Sequence, residues 1–182
     1  CHPTTQAKSL VISCVEEKEL TFEFERGNGN AVIVLAKEGG AVDAEPQYNT
    51  EYISNPVFGG GSQIGSGNFV VYNGYEEGNV SVKISGLQAG KTYHFQVFEY
   101  NINPSCYNVF SAPTISQGTR LPASYVSSTT TQNTAPINPG TINQHIIGLS
   151  IVISGNNDPS AFINSITFST QESSHVNDIQ RA

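Results

Sequence analysis

The chain has no tryptophan and no methionine, three cysteines, and only eight Lys and Arg among 182 residues. Phosphate recognition needs clustered Lys and Arg. A net charge of −7 with so few cations therefore argues against nucleic acid as a partner, and equally against a polybasic membrane contact. Charged residues make up 13% of the chain, against roughly 25% in an ordinary soluble protein. No apolar run approaches the roughly 18 residues of a membrane-spanning segment, and no stretch reads as a signal peptide. The lack of Met marks the chain as a processed product or an excised fragment. Catalytic signatures are missing as well. His2, His94, His145 and His175 do not pair at metal-ligand spacing, and neither H-E-x-x-H nor C-x-x-C occurs. No G-x-S-x-G marks a hydrolase nucleophile.

The charge deficit is filled by 14 Thr, 20 Ser and 17 Asn, joined by 17 Gly. Thr suits a pleated surface, while Asn, Ser and Gly serve turns. Leu20 to Glu25 alternates apolar and polar residues, as a half-buried strand does. Arg26-Gly27-Asn28-Gly29-Asn30 is a turn by chemistry. Ala31 to Ala36 is nearly continuous in apolar character, which predicts a strand buried on both faces or at the centre of a sheet. Leu10 to Val15, Phe69 to Tyr72, Val80 to Ile84 and Tyr93 to Tyr100 are further strand-like runs. Between Lys37 and Asn68 lies a long polar, glycine-rich segment with Tyr52-Ile53 and Val57-Phe58 as apolar islands. Short strands separated by turn signals, with no helical period, predict an all-β sandwich. Residues 122–134, rich in Ser and Thr, read as a linker or an edge strand. Beyond them Ile142 to Ile153 and Phe162 to Phe168 read as strands around a turn at Gly155 to Pro159, too few to close a second sandwich, so the natural chain is expected to continue past Ala182.

Gly86-Leu87-Gln88-Ala89-Gly90-Lys91-Thr92-Tyr93-His94-Phe95-Gln96-Val97 resembles the turn and following strand of fibronectin type III domains. The resemblance implies a tyrosine corner, in which Tyr93 bonds back to the upstream backbone over a turn built on Leu87 and Gly90. Phe22 and Phe24 match the second strand, with Phe24 in place of the family's Trp. Arg26 to Asn30, Phe58 to Gly74 and Phe98 to Asn101 are similar to a variant that recurs in secreted and surface proteins of Bacteroidetes. The likeness covers about residues 3–121, so the expected division is a fibronectin type III-like (immunoglobulin-like) β-sandwich at 1–121 and an incomplete second β-sandwich at 135–182. For the latter, Gln132-Asn133, Pro139-Gly140, Asn143-Gln144, Ile147 to Leu149, Phe168 to Thr170 and Asp178-Ile179 resemble a module near the N-termini of bacterial sialidases. On type III topology the N-terminus and the loop after the sixth strand share one end. Cys1–Cys106 is then the expected disulfide, with Cys14 left free.

Two glycine motifs fail as nucleotide sites. In Gly86 to Thr92 the first Gly lies four residues before Gly90, where a phosphate-binding loop needs five, and a strand follows. Gly59-Gly60-Gly61-Ser62 has no G-x-G-x-x-G spacing. It reads as a flexible or Gly-stacked loop, which with Tyr72 and Tyr75 forms the candidate ligand surface. Tyr48 and Tyr52 are further aromatics for a sugar-stacking platform, though core or rim packing is the simpler reading. Asn156-Asn157-Asp158 and Asp43-Ala44-Glu45 offer oxygen ligands that could help hold a structural Ca²⁺, but neither completes a calcium loop, and structural turns are the preferred reading. No cofactor is expected. The chain reads as a non-enzymatic spacer and adhesion module of a large bacterial surface protein, concerned with attachment or gliding. The alternative is a glycan-binding or spacer accessory module of a secreted glycoside hydrolase such as a sialidase. Partners would be neighbouring domains of the same polypeptide and a host or environmental glycan or protein.

Overall fold

The computed structural model describes residues 1–136, 138, 142, 143, 145, 147–155 and 164–167. Among them every regular element is a strand: β1 (Lys8–Val15), β2 (Leu20–Glu25), β3 (Ala31–Glu38), β4 (Gln63–Ile64), β5 (Asn68–Gly74), β6 (Asn79–Ile84), β7 (Thr92–Asn101), β8 (Cys106–Tyr107), β9 (Thr114–Gly118), β10 (Ser124–Gln132) and β11 (Ile147–Ser154). All strand pairs are antiparallel and form two facing sheets and a separate hairpin. One sheet runs β1-β2-β6; the other runs β4-β5-β3-β7, with β8 and β9 sharing the outer edge of β7.

The core follows from pleat alternation, since every second side chain faces the same way. Leu20, Phe22 and Phe24 of β2 and Val80, Val82 and Ile84 of β6 meet Val32, Val34, Val97, Phe95 and Tyr93 across the sandwich. Phe22 stacks on Phe95 with ring centroids 5.1 Å apart. The opposite face of β3 and β7 is covered too. Ile33, Leu35, Phe98 and Tyr100 pack under Ile64, Tyr107, Val42 and Tyr52. The long segment after β3 is thus a cover for the larger sheet, which is why Ala31 to Ala36 is apolar at every position.

Part of the glycine-rich loop packs closely on its surroundings. Gly61 lies so close to β5 that an added Cβ would fall 2.0 Å from the Val70 carbonyl oxygen. The Val70 amide donates to the Ser62 carbonyl at 2.9 Å. His94, on a strand face that alternation turned toward solvent, is half-buried.

Residues 122–134 contain β10, which pairs with β11 from Ser124↔Ser154 to Gln132↔Ile147. The strand expected from Ile142 begins at Ile147, because Ile142, Asn143 and His145 lie outside any strand. The strand expected over Phe162 to Phe168 is absent at 164–167, and its remaining positions lie outside the described residues. So do Asn156-Asn157-Asp158, His175 and most of the residues that carry the sialidase-module resemblance.

Candidate functional site

The sandwich has two poles. At one, the β2–β3 turn, the β7–β8 loop and Cys1 come together: the Asn101 side chain donates to the Cys1 carbonyl at 2.7 Å, and its Oδ1 accepts from the Asn30 amide at 3.2 Å. At the other, the β1–β2 turn, the β6–β7 turn and residues 118–121 meet, with the Arg120 amide donating to the Glu16 carbonyl and the Gly90 amide to the Arg120 carbonyl. β7 spans the distance between them in ten residues, about 30 Å at roughly 3.3 Å per step.

The second pole holds the tyrosine corner. Leu87 is buried and Gly90 has φ +70°, a left-handed conformation that favours glycine. The Gln88 amide donates to the Tyr93 hydroxyl at 2.9 Å, and that hydroxyl donates to Glu38 Oε2 at 2.9 Å. The Tyr93 ring is buried edge-on against Phe58, with centroids 5.0 Å apart.

The first pole is tied covalently. Cys1 and Cys106 form a disulfide with Cα atoms 5.9 Å apart, while Cys14 is free and exposed. Beneath it lies an ion pair that the sequence reading missed. Alternation along β7 places Glu99 on the same inner face as Tyr93, Phe95 and Val97, so a carboxylate caps the end of the core. Arg26 meets it with Nε and Nη2 at 2.8 and 2.9 Å. The amides of Gly27 and Gly29 also donate to Glu99, at 2.7 and 3.2 Å, while its own amide donates to Gln6 Oε1. Arg26 further bonds the carbonyls of Gly29 and Glu76.

Beside this network is a cavity of about 180 Å³, lined by four tyrosines, Tyr52, Tyr75, Tyr100 and Tyr107, with Glu51 and Asn73 among the polar groups. Tyr100 and Tyr107 are a cross-strand pair of β7 and β8, and their rings stack at 4.6 Å. Tyr52 tilts against Tyr107 at 6.0 Å. The Tyr100 hydroxyl donates to Asn73 Oδ1 and the Tyr107 hydroxyl to the Thr50 carbonyl, both at 2.8 Å. Asn73 in turn donates to the Tyr52 carbonyl at 3.1 Å. Burial, then the facing Tyr75 hydroxyl, pushes Tyr100 up to about 12; burial, then Tyr100, pushes Tyr107 up further.

Of the candidate ligand surface, only Tyr75 lines this cavity. Gly59 is exposed at φ +86°. Gly60 and Gly61 are packed against Asn55 and Val70, and Ser62 accepts the Ile53 amide through its hydroxyl. The Tyr72 hydroxyl is taken by Glu76; burial and that carboxylate raise its pKa, and the bond holds Glu76 below the usual carboxylate range. Tyr48 is exposed but does not line the cavity, whereas Tyr52 does. Asp43 is engaged by Lys37 of β3 at 2.5 Å and by Asn68 of β5 at 2.9 Å, which ties the cover segment to the sheet beneath it. Among the described residues no three His, Cys, Asp or Glu converge as metal ligands, and no helix is long and apolar enough to cross a membrane.

No family model and no curated protein matches the chain. Among solved structures it is similar to the fibronectin type-III domain of human fibronectin type III domain containing protein 3, at 13% identity over 65% of this chain and 89% of that one, with a TM-score of 0.39. It is also similar to the sensor domain of the anti-sigma factor RsgI4 of Pseudobacteroides cellulosolvens, at 15% identity over 63% of this chain and 95% of that one, with a TM-score of 0.36. With β1-β2-β6 facing β5-β3-β7-β9 and a tyrosine corner at the start of β7, the chain is an all-β protein with a fibronectin type III-like sandwich fold.

Proposed function

We propose that the chain is a non-enzymatic extracellular spacer and adhesion module of a large bacterial cell-surface protein, of the kind that serves attachment or gliding. The observation that carries this reading is the placement of Cys1 and Leu121 at opposite poles, about 30 Å apart along β7. A module threaded in this way sets its neighbours end to end and keeps the surfaces at its poles clear of its own sheets. The Cys1–Cys106 disulfide supports an oxidising, extracellular setting, where such bonds persist.

The test places the chain, singly and as two linked copies, between a fluorescent donor and acceptor domain. Transfer should fall with each copy as an added separation of about 30 Å requires. Equal transfer for one copy and two would overturn the spacer reading. Beads coated with the oxidised protein supply the adhesion arm, scored for retention on glycan-coated and matrix-protein-coated surfaces. Retention no greater than that of uncoated beads would remove adhesion from the proposal.

A second reading, a glycan-binding accessory module of a secreted hydrolase, is favoured by one observation. The tyrosine-lined cavity opens at a pole, and Tyr75 at its edge is 64% exposed, a combination of shaped recess and free aromatic that small ligands use.

A further inference from the structure

We propose that the cavity between Tyr52, Tyr75, Tyr100 and Tyr107 binds a primary ammonium group, of the kind that ends a lysine side chain or substitutes an amino sugar. The inference rests on the second reading, that this cavity is a ligand site, and adds the chemistry of its ligand.

The argument is an account of protons. A tyrosine hydroxyl has one proton to give and lone pairs to receive with. Tyr100 gives its proton to Asn73 Oδ1, and Tyr107 gives its own to the Thr50 carbonyl. Both buried hydroxyls have spent their protons and keep lone pairs, which the neighbouring Tyr75 and Ser105 hydroxyls share. Asn73, whose amide donates to the Tyr52 carbonyl and whose oxygen accepts from Tyr100, is engaged at both ends. The carboxylate on the cavity wall, Glu51, is exposed and forms no ion pair among the described residues. The wall mixes hydroxyl and amide groups of both kinds, but its one charge is negative and, among the described residues, without an ion pair, and the complement of that charge is a cation with several N–H donors. Burial first, and then neighbouring groups with Glu51 among them, raise Tyr100 and Tyr107, so a further negative charge is disfavoured in this space.

Geometry selects between kinds of cation. A quaternary ammonium is held by open aromatic faces, but Tyr100 and Tyr107 stack on each other and Tyr52 tilts onto Tyr107. These three rings therefore already pack on one another. At about 180 Å³ the cavity has room for a few heavy atoms, well below the roughly 300 Å³ at which drug-sized sites begin. Tyr75, a lining residue that is 64% exposed, offers apolar ring surface to an aliphatic stem. The disulfide at Cys106 holds the wall strand that carries Tyr107.

The test is a titration of the oxidised chain with n-butylammonium, 1-butanol, tetramethylammonium and glucose. Amide shifts at Asn103 and Ser105 give one readout. Tyrosine fluorescence, free of any tryptophan background, gives the other. Butylammonium should bind at least about tenfold more tightly than butanol, the least that a hydrogen-bonded charge contributes. Glu51→Gln, at a position exposed in the free protein, should weaken it by about the same factor while leaving the fold's spectrum intact. Glucose or butanol binding as well as butylammonium would overturn this inference and leave a ligand site standing. Tetramethylammonium binding equally well would overturn the hydrogen-bonding account. Shifts absent with every probe would overturn both this inference and the second reading.

Discussion

Glu99 and Arg26, 73 residues apart, form a two-point ion pair with side-chain exposures of 0% and 4%, sealed by the amides of Gly27 and Gly29. A buried charge left without its partner is far more costly than the intact pair is favourable. Glu99→Ala or Arg26→Ala should each lower stability by about 3–5 kcal/mol. The double replacement Arg26→Met with Glu99→Leu should lose less than the sum of the two. Urea denaturation of the four proteins checks this, and additive losses would refute the coupling.

The same network sets the two glycines before Asn30. Gly27 and Gly29 have no left-handed φ, but a Cβ on Gly27 would fall 2.1 Å from the Thr5 carbonyl oxygen and one on Gly29 2.7 Å from Glu99 Oε2. Gly27→Ala and Gly29→Ala should each destabilise by about 1–3 kcal/mol through overpacking. Gly40, with nothing within 4 Å of its added Cβ, is the internal control: Gly40→Ala should be neutral or slightly stabilising. Thermal midpoints of the three variants decide.

Tyr93→Phe removes the hydroxyl that joins the Gln88 amide to Glu38 while keeping the buried ring. A loss of about 1 kcal/mol is expected, with amide exchange at Gln88 accelerated. Unchanged exchange there would show that the ring alone holds the corner.

Alkali should unfold the protein through its tyrosines. Tyr72, Tyr93, Tyr100 and Tyr107 are all raised, chiefly by burial, Tyr100 to about 12. The unfolded chain, with tyrosines near 10, releases those protons first. The stabilisation is therefore complete below about pH 10 and is lost as pH rises through the folded values. Denaturant midpoints should fall above pH 10, and the fall should flatten in Tyr100→Phe. An identical slope would remove Tyr100 from the account.

Every residue of β10 is exposed, and among the described residues β10 pairs only with β11. Segments with little buried apolar contact open first. Limited proteolysis should therefore cut within residues 122–155 and leave a resistant core ending near Arg120, as mass measurement would read. A hairpin that survives as long as the sandwich would show the two to be one cooperative unit.

What was legible in the sequence was whatever has a short period. Alternation in Leu20 to Glu25 and Val80 to Ile84 places Phe22 and Val82 inside, and the Tyr93 corner carries its own local pattern. The ion pair had no such signal, because Arg26 and Glu99 meet only once β3 has paired with β7. Parity along β7 does point Glu99 inward with Phe95 and Val97, so an apolar-facing position occupied by a carboxylate was the available clue. The tyrosine cavity was obscured for a similar reason. Tyr52 comes from the aperiodic cover segment and Tyr107 from a two-residue strand, and only tertiary pairing makes them neighbours. Gly59 to Gly61 read by composition as flexible or Gly-stacked, whereas glycine at Gly61 permits close approach to the Val70 carbonyl.

The bond between Cys1 and Cys106 changes how the sandwich would respond to tension. A pull applied between Cys1 and Leu121 passes directly through sulfur to residue 106, bypassing β1 to β7. Only residues 106–121 remain to be drawn out, a contour of about 50 Å at roughly 3.3–3.6 Å per residue. The greater part of the hydrophobic core lies inside the closed loop and carries no load. An oxidised module would yield by one short, bounded step and keep its main fold, whereas a reduced one would unravel over its whole length.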